Sequence, residues 1–126
     1  MIGTDLSAEA VEIAEENFRC ADLRGVEGKF LRGDFREFPG GEIPHGSVSL
    51  VLTNPPMGKR VPIPDLRGLI EDLLEASARV LRPGGRLVLA NPLWAEIRHR
   101  ALTREWWQVV DFGGFDCRME IYTKAR

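Results

Sequence analysis

The stretch that decides the fold is Val48-Ser49-Leu50-Val51-Leu52-Thr53, which runs directly into Asn54-Pro55-Pro56. Its central run of three apolar residues predicts a strand that is buried on both faces, as in a parallel sheet. The two prolines end the strand, because a proline nitrogen has no hydrogen to donate to a neighbouring strand. The sequence therefore places an amide side chain just past the carboxyl end of a buried strand.

Two acidic residues follow earlier predicted strands in the same way. A short strand from Met1 to Thr4 ends at Asp5, and a second strand from Lys29 to Arg32 runs into Gly33 and Asp34. Between these strands, apolar residues recur at helical spacing and predict a helix from about Ala8 to Cys20.

The chain after Asn54 continues the alternation of helices and strands. A helix capped by Asp65 is predicted from its apolar positions at i, i+3, i+4 and i+7. A buried strand from Leu87 to Ala90 follows, and then a shorter helix near Ala95 to Leu102. Two strands, Trp107 to Phe112 and Cys117 to Thr123, end the predicted order.

This order predicts an α/β fold with a mostly parallel sheet and helices on both faces. The last strand shows the partial alternation of an antiparallel strand, with Glu120 on a wetter face. Ligands of such sheets bind at the carboxyl ends of the strands. Asp5, Asp34 and Asn54 are therefore predicted to lie at one ligand-binding edge.

Composition narrows the class of protein further. The chain has 126 residues, so we expect one domain over 1–126, and its 44% hydrophobic and 29% charged content is that of a soluble globular protein. A net charge of -2 does not mark the chain as a dedicated nucleic-acid binder, so affinity for nucleic acid would need a local basic patch or another domain. Two cysteines without a CxxC pair suggest a reduced, cytoplasmic protein. No apolar run approaches the roughly 20 residues of a membrane span.

The two acids suggest nucleotide binding. Asp5, at a strand end, can accept both hydroxyl hydrogens of a ribose, although it can also be a turn acid before a helix. Asp34 can accept a hydrogen bond from an adenine amino group, or it can bond its own backbone as loop aspartates do.

The motif Asn54-Pro55-Pro56-Met57-Gly58 suggests amine chemistry. An exocyclic amine on an aromatic base is a poor nucleophile, because its lone pair is delocalised into the ring. The Asn54 side-chain oxygen and the Pro55 carbonyl can accept its two hydrogens and hold the lone pair towards a methyl donor. The other reading is an ordinary Pro-Pro turn after a strand.

Other chemistry-bearing residues are predicted to have structural roles. His45 and His99 have no carboxylate or cysteine partner at metal-ligand spacing, so no metal site is expected. The three tryptophans, Trp94, Trp106 and Trp107, are interpreted as packing residues rather than as a platform for stacking bases.

Four segments together resemble successive motifs of the class I S-adenosylmethionine (SAM)-dependent methyltransferases: Gly3–Ser7, Gly33–Phe35, Leu52–Gly58 and Val80–Leu87. The likeness covers nearly the whole chain. It is greatest to the RNA methylases that modify guanine N2 in tRNA, often behind an RNA-binding THUMP domain. The resemblance implies a Rossmann-like sheet with an antiparallel C-terminal strand.

The resemblance also implies SAM as cofactor, tRNA as substrate and two sets of site residues. The cofactor-binding set is Asp5, Leu6, Asp34, Phe35 and Asn54, and the catalytic set is Asn54, Pro55, Pro56 and Met57. Met57 stands where the family usually has an aromatic residue that stacks on the target base. Enzymes that methylate adenine N6 or a protein glutamine amide use the same Asn-Pro-Pro triplet, so these substrates are alternatives.

The family begins with a strand and a glycine-rich loop, whereas this chain starts at the second strand. We therefore expect an N-terminally truncated domain with unpaired sheet edges, completed by a preceding segment such as a THUMP-containing region, by rearrangement or by a second copy in a homodimer. A further alternative is a degenerate, non-catalytic domain.

Overall fold

The computed structural model describes residues 1–58 and 62–126, which form six strands and two helices. In chain order these are β1 (Ile2–Asp5), α1 (Ala8–Cys20), β2 (Lys29–Arg32), β3 (Val48–Thr53), α2 (Leu66–Val80), β4 (Leu81–Asn91), β5 (Leu102–Asp111) and β6 (Asp116–Lys124). They belong to two compact units, Met1–Phe38 and Pro39–Arg126. The expectation of a single domain stays a prediction.

The first unit is a strand–helix–strand element. β1 and β2 pair in parallel, from Ile2 opposite Lys29 to Asp5 opposite Arg32. The connecting helix begins where predicted, because the Ser7 hydroxyl accepts a hydrogen bond from the Ala10 amide at 3.3 Å.

The second unit is a four-stranded sheet with the order β3-β4-β6-β5, and α2 contacts β4. β3 is parallel to β4, and β6 is antiparallel to both of its neighbours. β3, β4 and β5 therefore run in one direction and only β6 opposes them. The predicted α/β class, with mostly parallel strands and an antiparallel C-terminal strand, is confirmed.

The core of this unit lies between α2 and one face of the sheet. Ile70 and Leu74 of α2, Leu87 and Leu89 of β4 and Tyr122 of β6 are each at most 1% exposed. These side chains share the α2 side because strand residues two apart point to the same face.

The helix predicted near Ala95–Leu102 does not form, and the segment is irregular up to Leu102, where β5 begins. Its backbone oxygens bind side chains of β6 instead. The Trp94 oxygen accepts from Arg118 at 2.9 Å, and the Ile97 oxygen accepts from the Tyr122 hydroxyl at 3.4 Å. These tertiary contacts replace the local bonds of a helix.

Two burial predictions are also wrong. Leu50 and Leu52 are 49% and 69% exposed, because β3 pairs only with β4 in the described part of the chain and α2 covers only one face. Glu120, predicted on a wetter face, is 0% exposed, because it lies on the α2 face and is enclosed by polar partners there. No helix in the described ranges is both long and apolar enough to cross a membrane.

Candidate active site

The two predicted cofactor-binding acids lie at the same end of the β1–β2 pair. Asp5 is the last residue of β1 and stands opposite Arg32, two residues before Asp34. The Asp5 backbone oxygen also accepts a hydrogen bond from the Gly33 amide at 2.9 Å. The parallel pairing therefore brings both carboxylates to the carboxyl end of this unit, as the sequence predicted.

Each carboxylate has a local protein partner. Asp5 Oδ1 accepts from the Ser7 amide at 2.8 Å. Asp34 Oδ1 accepts from the Arg36 amide at 3.0 Å, as loop aspartates do, and the Arg36 guanidinium donates to Oδ1 at 3.2 Å and to Oδ2 at 2.9 Å. A carboxylate has about four lone-pair directions, so these bonds leave acceptor capacity for a ribose or an adenine amino group. Both acids are compatible with the predicted cofactor.

Two further residues of the predicted cofactor set, Leu6 and Phe35, belong to the same unit. Leu6 is 68% exposed, and its backbone oxygen accepts from Arg32 Nε at 3.4 Å. Phe35 is half-buried, and the Arg36 guanidinium lies 4.8 Å from the centre of its ring.

Asn54 lines a cleft in the second unit, directly after β3. Its side chain is exposed and has no hydrogen-bond partner among the residues described. The cleft has a volume of about 340 Å³ and is mainly apolar, and its other lining residues are Leu52, Thr53, Val88, Ala90, Phe112 and Met119. Leu52, Val88, Ala90 and Met119 lie on the face of the sheet opposite α2, so the cleft offers an apolar floor beside one free amide.

The Pro-Pro segment after Asn54 is attached to the sheet. Pro55 is buried and Met57 is half-buried, with the Met57 sulfur 3.9 Å from Cys117 Sγ. The Cys117 thiol also donates to the Asn91 backbone oxygen at 3.2 Å. Burial raises the pKa of Cys117, so the thiol keeps its proton for this bond at neutral pH. The sequence could not reveal this contact, because it depends on the register between β4 and β6.

A buried polar cluster lies on the opposite face, around Glu120. The Glu120 carboxylate accepts from Asn91 Nδ2 at 3.0 Å, from the Tyr122 hydroxyl at 2.8 Å and from Arg104 at 3.0 Å, and it pairs with Arg118 at 2.5 Å. Burial, and then the bond to this carboxylate, raises the pKa of Tyr122 far above its usual value, so the hydroxyl remains a donor.

The two histidines are engaged in side-chain contacts of the second unit. His99 Nε2 lies 2.9 Å from Glu75 Oε2, and His45 Nε2 lies 3.3 Å from the Arg79 guanidinium. In the described ranges, no group of three or more His, Cys, Asp or Glu side chains is placed to hold a metal ion.

The family model for the RMKL-like methyltransferase domain matches residues 1–121. The chain belongs to this family. The match confirms the class I SAM-dependent RNA methylase family that the sequence motifs predicted. No curated protein sequence gives a significant match.

Solved structures show the same fold. TrmN from Thermus thermophilus superposes with a TM-score of 0.72 at 25% identity, over 98% of this chain. A SAM-dependent methyltransferase from Methanosarcina mazei (TM-score 0.68, 14% identity) aligns with 98% of this chain and 81% of its own. An rRNA methylase from Streptococcus thermophilus (0.62, 13%) aligns with 99% of this chain and 73% of its own. The domain spans only 36% of the TrmN chain.

Proposed function

We propose that this domain transfers a methyl group from SAM to an exocyclic amine of an RNA base, with guanine N2 in tRNA as the target. The observation that supports this most is the environment of Asn54. An exposed amide without a described hydrogen-bond partner follows a strand, stands before two prolines and lines an apolar cleft.

These residues suit the binding of an amine. The Asn54 side-chain oxygen and the Pro55 backbone oxygen would accept the two amine hydrogens, and the fixed φ of proline makes the carbonyl direction rigid. The apolar floor of the cleft suits the ring of a base. The residues contribute mainly by positioning the amine, so no general base is required before transfer.

Asp5, Leu6, Asp34, Phe35 and Asn54 would hold the cofactor. Asp5 would accept from the ribose hydroxyls and Asp34 from the adenine amino group, with Leu6 and Phe35 beside them. When bound, SAM supplies an electrophilic methyl group, so that the new N–C bond forms as the C–S bond breaks. The amine nitrogen then loses one proton to water.

The proposed substrate and partners follow from the same hypothesis of methyl transfer to an RNA base. We propose that tRNA is the substrate and that the domain acts together with an RNA-binding segment, such as a THUMP domain, or with a second copy of the chain. We place this activity in the reduced cytoplasm, where the two free thiols would persist. Adenine N6 and protein glutamine are the alternative acceptors for the same amine chemistry.

Methyl transfer from radiolabelled SAM to tRNA, to DNA and to a protein extract tests this proposal. We expect incorporation into tRNA and a loss of about 100-fold or more in Asn54→Ala, because a misplaced amine reacts far more slowly. Asn17→Ala, at another exposed asparagine, is the matched control and should retain activity.

The location of the label separates the alternatives. Digestion of the tRNA to nucleosides should give N2-methylguanosine. Label in N6-methyladenosine or in protein would change the substrate and leave the amine chemistry standing. No transfer to any acceptor would favour the non-catalytic reading.

A further inference from the structure

The tryptophans do not pack in the core as the sequence suggested. Trp94 is 67% exposed and Trp107 is 51% exposed. Trp107 stands opposite Glu120 on the α2 face of the sheet, and Trp94 lies in the irregular segment that replaces the predicted helix. Trp107 is therefore left open on the α2 face, and Trp94 is exposed in the irregular segment, whose backbone binds Arg118.

Two arginines, Arg104 and Arg118, lie beside the Trp107 ring. The Arg118 guanidinium lies 5.0 Å from the centre of the Trp107 ring, and that of Arg104 lies at 6.0 Å. Arg118 also donates to the Trp94 backbone oxygen at 2.9 Å. Both arginines form ion pairs with Glu120, and these ion pairs fix the positions of their guanidinium groups. We call Trp94, Trp107, Arg104 and Arg118 the tryptophan surface.

The tryptophan surface lies close to the end of the sheet that carries Asn54. Arg118 stands opposite Asn91, the last residue of β4. Thr53, the last residue of β3, stands opposite Leu89 of the same strand. Asn54 and Arg118 therefore lie near the same carboxyl edge, while the Asn54 cleft and the tryptophan surface use opposite faces.

We propose that the tryptophan surface binds unpaired bases of the RNA that flank the base held at Asn54. This inference rests on the proposed function and adds a second contact to it. Exposed aromatic rings stack on bases of any sequence, and guanidinium groups beside them strengthen the stack. An RNA segment that crosses the carboxyl edge would reach both faces.

Stacking, rather than charge, should dominate the affinity of this surface. Arg104 and Arg118 are already paired with Glu120, and Arg104 also lies 3.3 Å from Glu96. Little positive charge is left to attract phosphates. The contribution of Trp107 to RNA affinity should therefore change little with salt, unlike that of a lysine on phosphate.

Fluorescence anisotropy of the full chain with a labelled single-stranded oligoribonucleotide tests the proposal. We expect Trp107→Ala to weaken binding roughly 5- to 150-fold, the range for the loss of one stacked base, with an unchanged salt slope. Trp107→Phe should retain most of the affinity. Trp106→Ala is the matched control, because Trp106 is 43% exposed on the same strand but stands opposite Ile121, on the other face.

The outcomes separate this inference from the proposed function. Equal losses in Trp106→Ala and Trp107→Ala, or no RNA binding by the wild type, would overturn the tryptophan surface as a base-binding site. So would unchanged RNA affinity in Trp107→Ala with a changed oligomeric state, which would make the surface a protein interface. Loss of RNA affinity at Trp107 in a protein that methylates no acceptor would support the surface and refute the proposed function.

Discussion

At the scale of single residues, Glu120 is a buried acidic side chain with two arginine partners. Its carboxylate is fully buried and binds two arginines, an amide and a phenol. An ion in such a place is tolerated only when its partners are complete, since removing one partner leaves an uncompensated buried charge. The cluster also positions Arg118 beside the Trp107 ring, at 5.0 Å from its centre.

We therefore predict that Glu120→Gln lowers the free energy of unfolding by about 3–5 kcal/mol. The glutamine keeps the shape of the side chain, but it leaves Arg118 and Arg104, with side chains 8% and 16% exposed, without their shared carboxylate. Urea denaturation followed by circular dichroism measures the change. Glu96→Gln, at a 39% exposed carboxylate, should change stability by less than about 1 kcal/mol. Equal effects of the two variants would contradict this view of Glu120.

At the scale of elements, the residues at which strands end were more predictable than the burial of the strands or the structure of the segments between them. Asp5 and Asn54 were placed correctly because prolines, turn residues and a helix cap mark where a strand ends. The exposure of Leu52 was not predictable, because an apolar run does not show how many neighbours a strand has. Likewise, the segment near Ala95 has helical spacing, but backbone bonds to β6 decide its shape.

Helix α2 is joined to the irregular segment before β5 by Glu75 and His99. Their hydrogen bond holds the pKa of Glu75 below its ordinary value of 4.5, with smaller contributions from the charges of His99, Arg100 and Arg79. A carboxylate with a lowered pKa adds stability that is complete above its unfolded pKa. This stability is lost as the pH falls through the lower, folded value.

We predict that the stability of Glu75→Gln falls less steeply than that of the wild type below about pH 4.5, and that the two curves run parallel above it. Thermal unfolding at a series of pH values checks this. Glu71→Gln is a control on the same helix, since Glu71 pairs with Arg67 rather than with a histidine. A wild-type slope retained in Glu75→Gln would assign the acid sensitivity to other groups.

At the scale of the whole molecule, the predicted site residues occur in both units. The first unit carries Asp5 and Asp34, and the second carries Asn54 and the cleft. The family was predictable from short motifs, several of which stand at strand ends. The paired strands β1–β2 and β3–β4 belong to separate sheets in the described ranges. The sequence motifs did not predict this separation, because each motif marks the end of one strand and not the neighbours of that strand.

Cofactor binding by the chain itself can be tested at Asp5, which lies in the first unit. We predict that SAM binds in a calorimetric titration and that Asp5→Asn weakens it roughly 10- to 150-fold, the effect of losing a hydrogen bond to a charged group. Asparagine still offers an oxygen to the Ser7 amide, so the start of α1 should survive. Asp22→Asn, at an exposed aspartate of the same unit, should bind SAM as the wild type does.

A chain that is folded by circular dichroism but binds no SAM would favour the non-catalytic reading for these 126 residues. Binding that Asp5→Asn leaves intact would place the ribose elsewhere. Asn54→Ala tests the two roles assigned to Asn54, which are contact with the cofactor and contact with the target amine. Loss of methyl transfer with SAM affinity kept within about twofold would assign Asn54 to the amine alone, whereas loss of both would assign it to the cofactor as well.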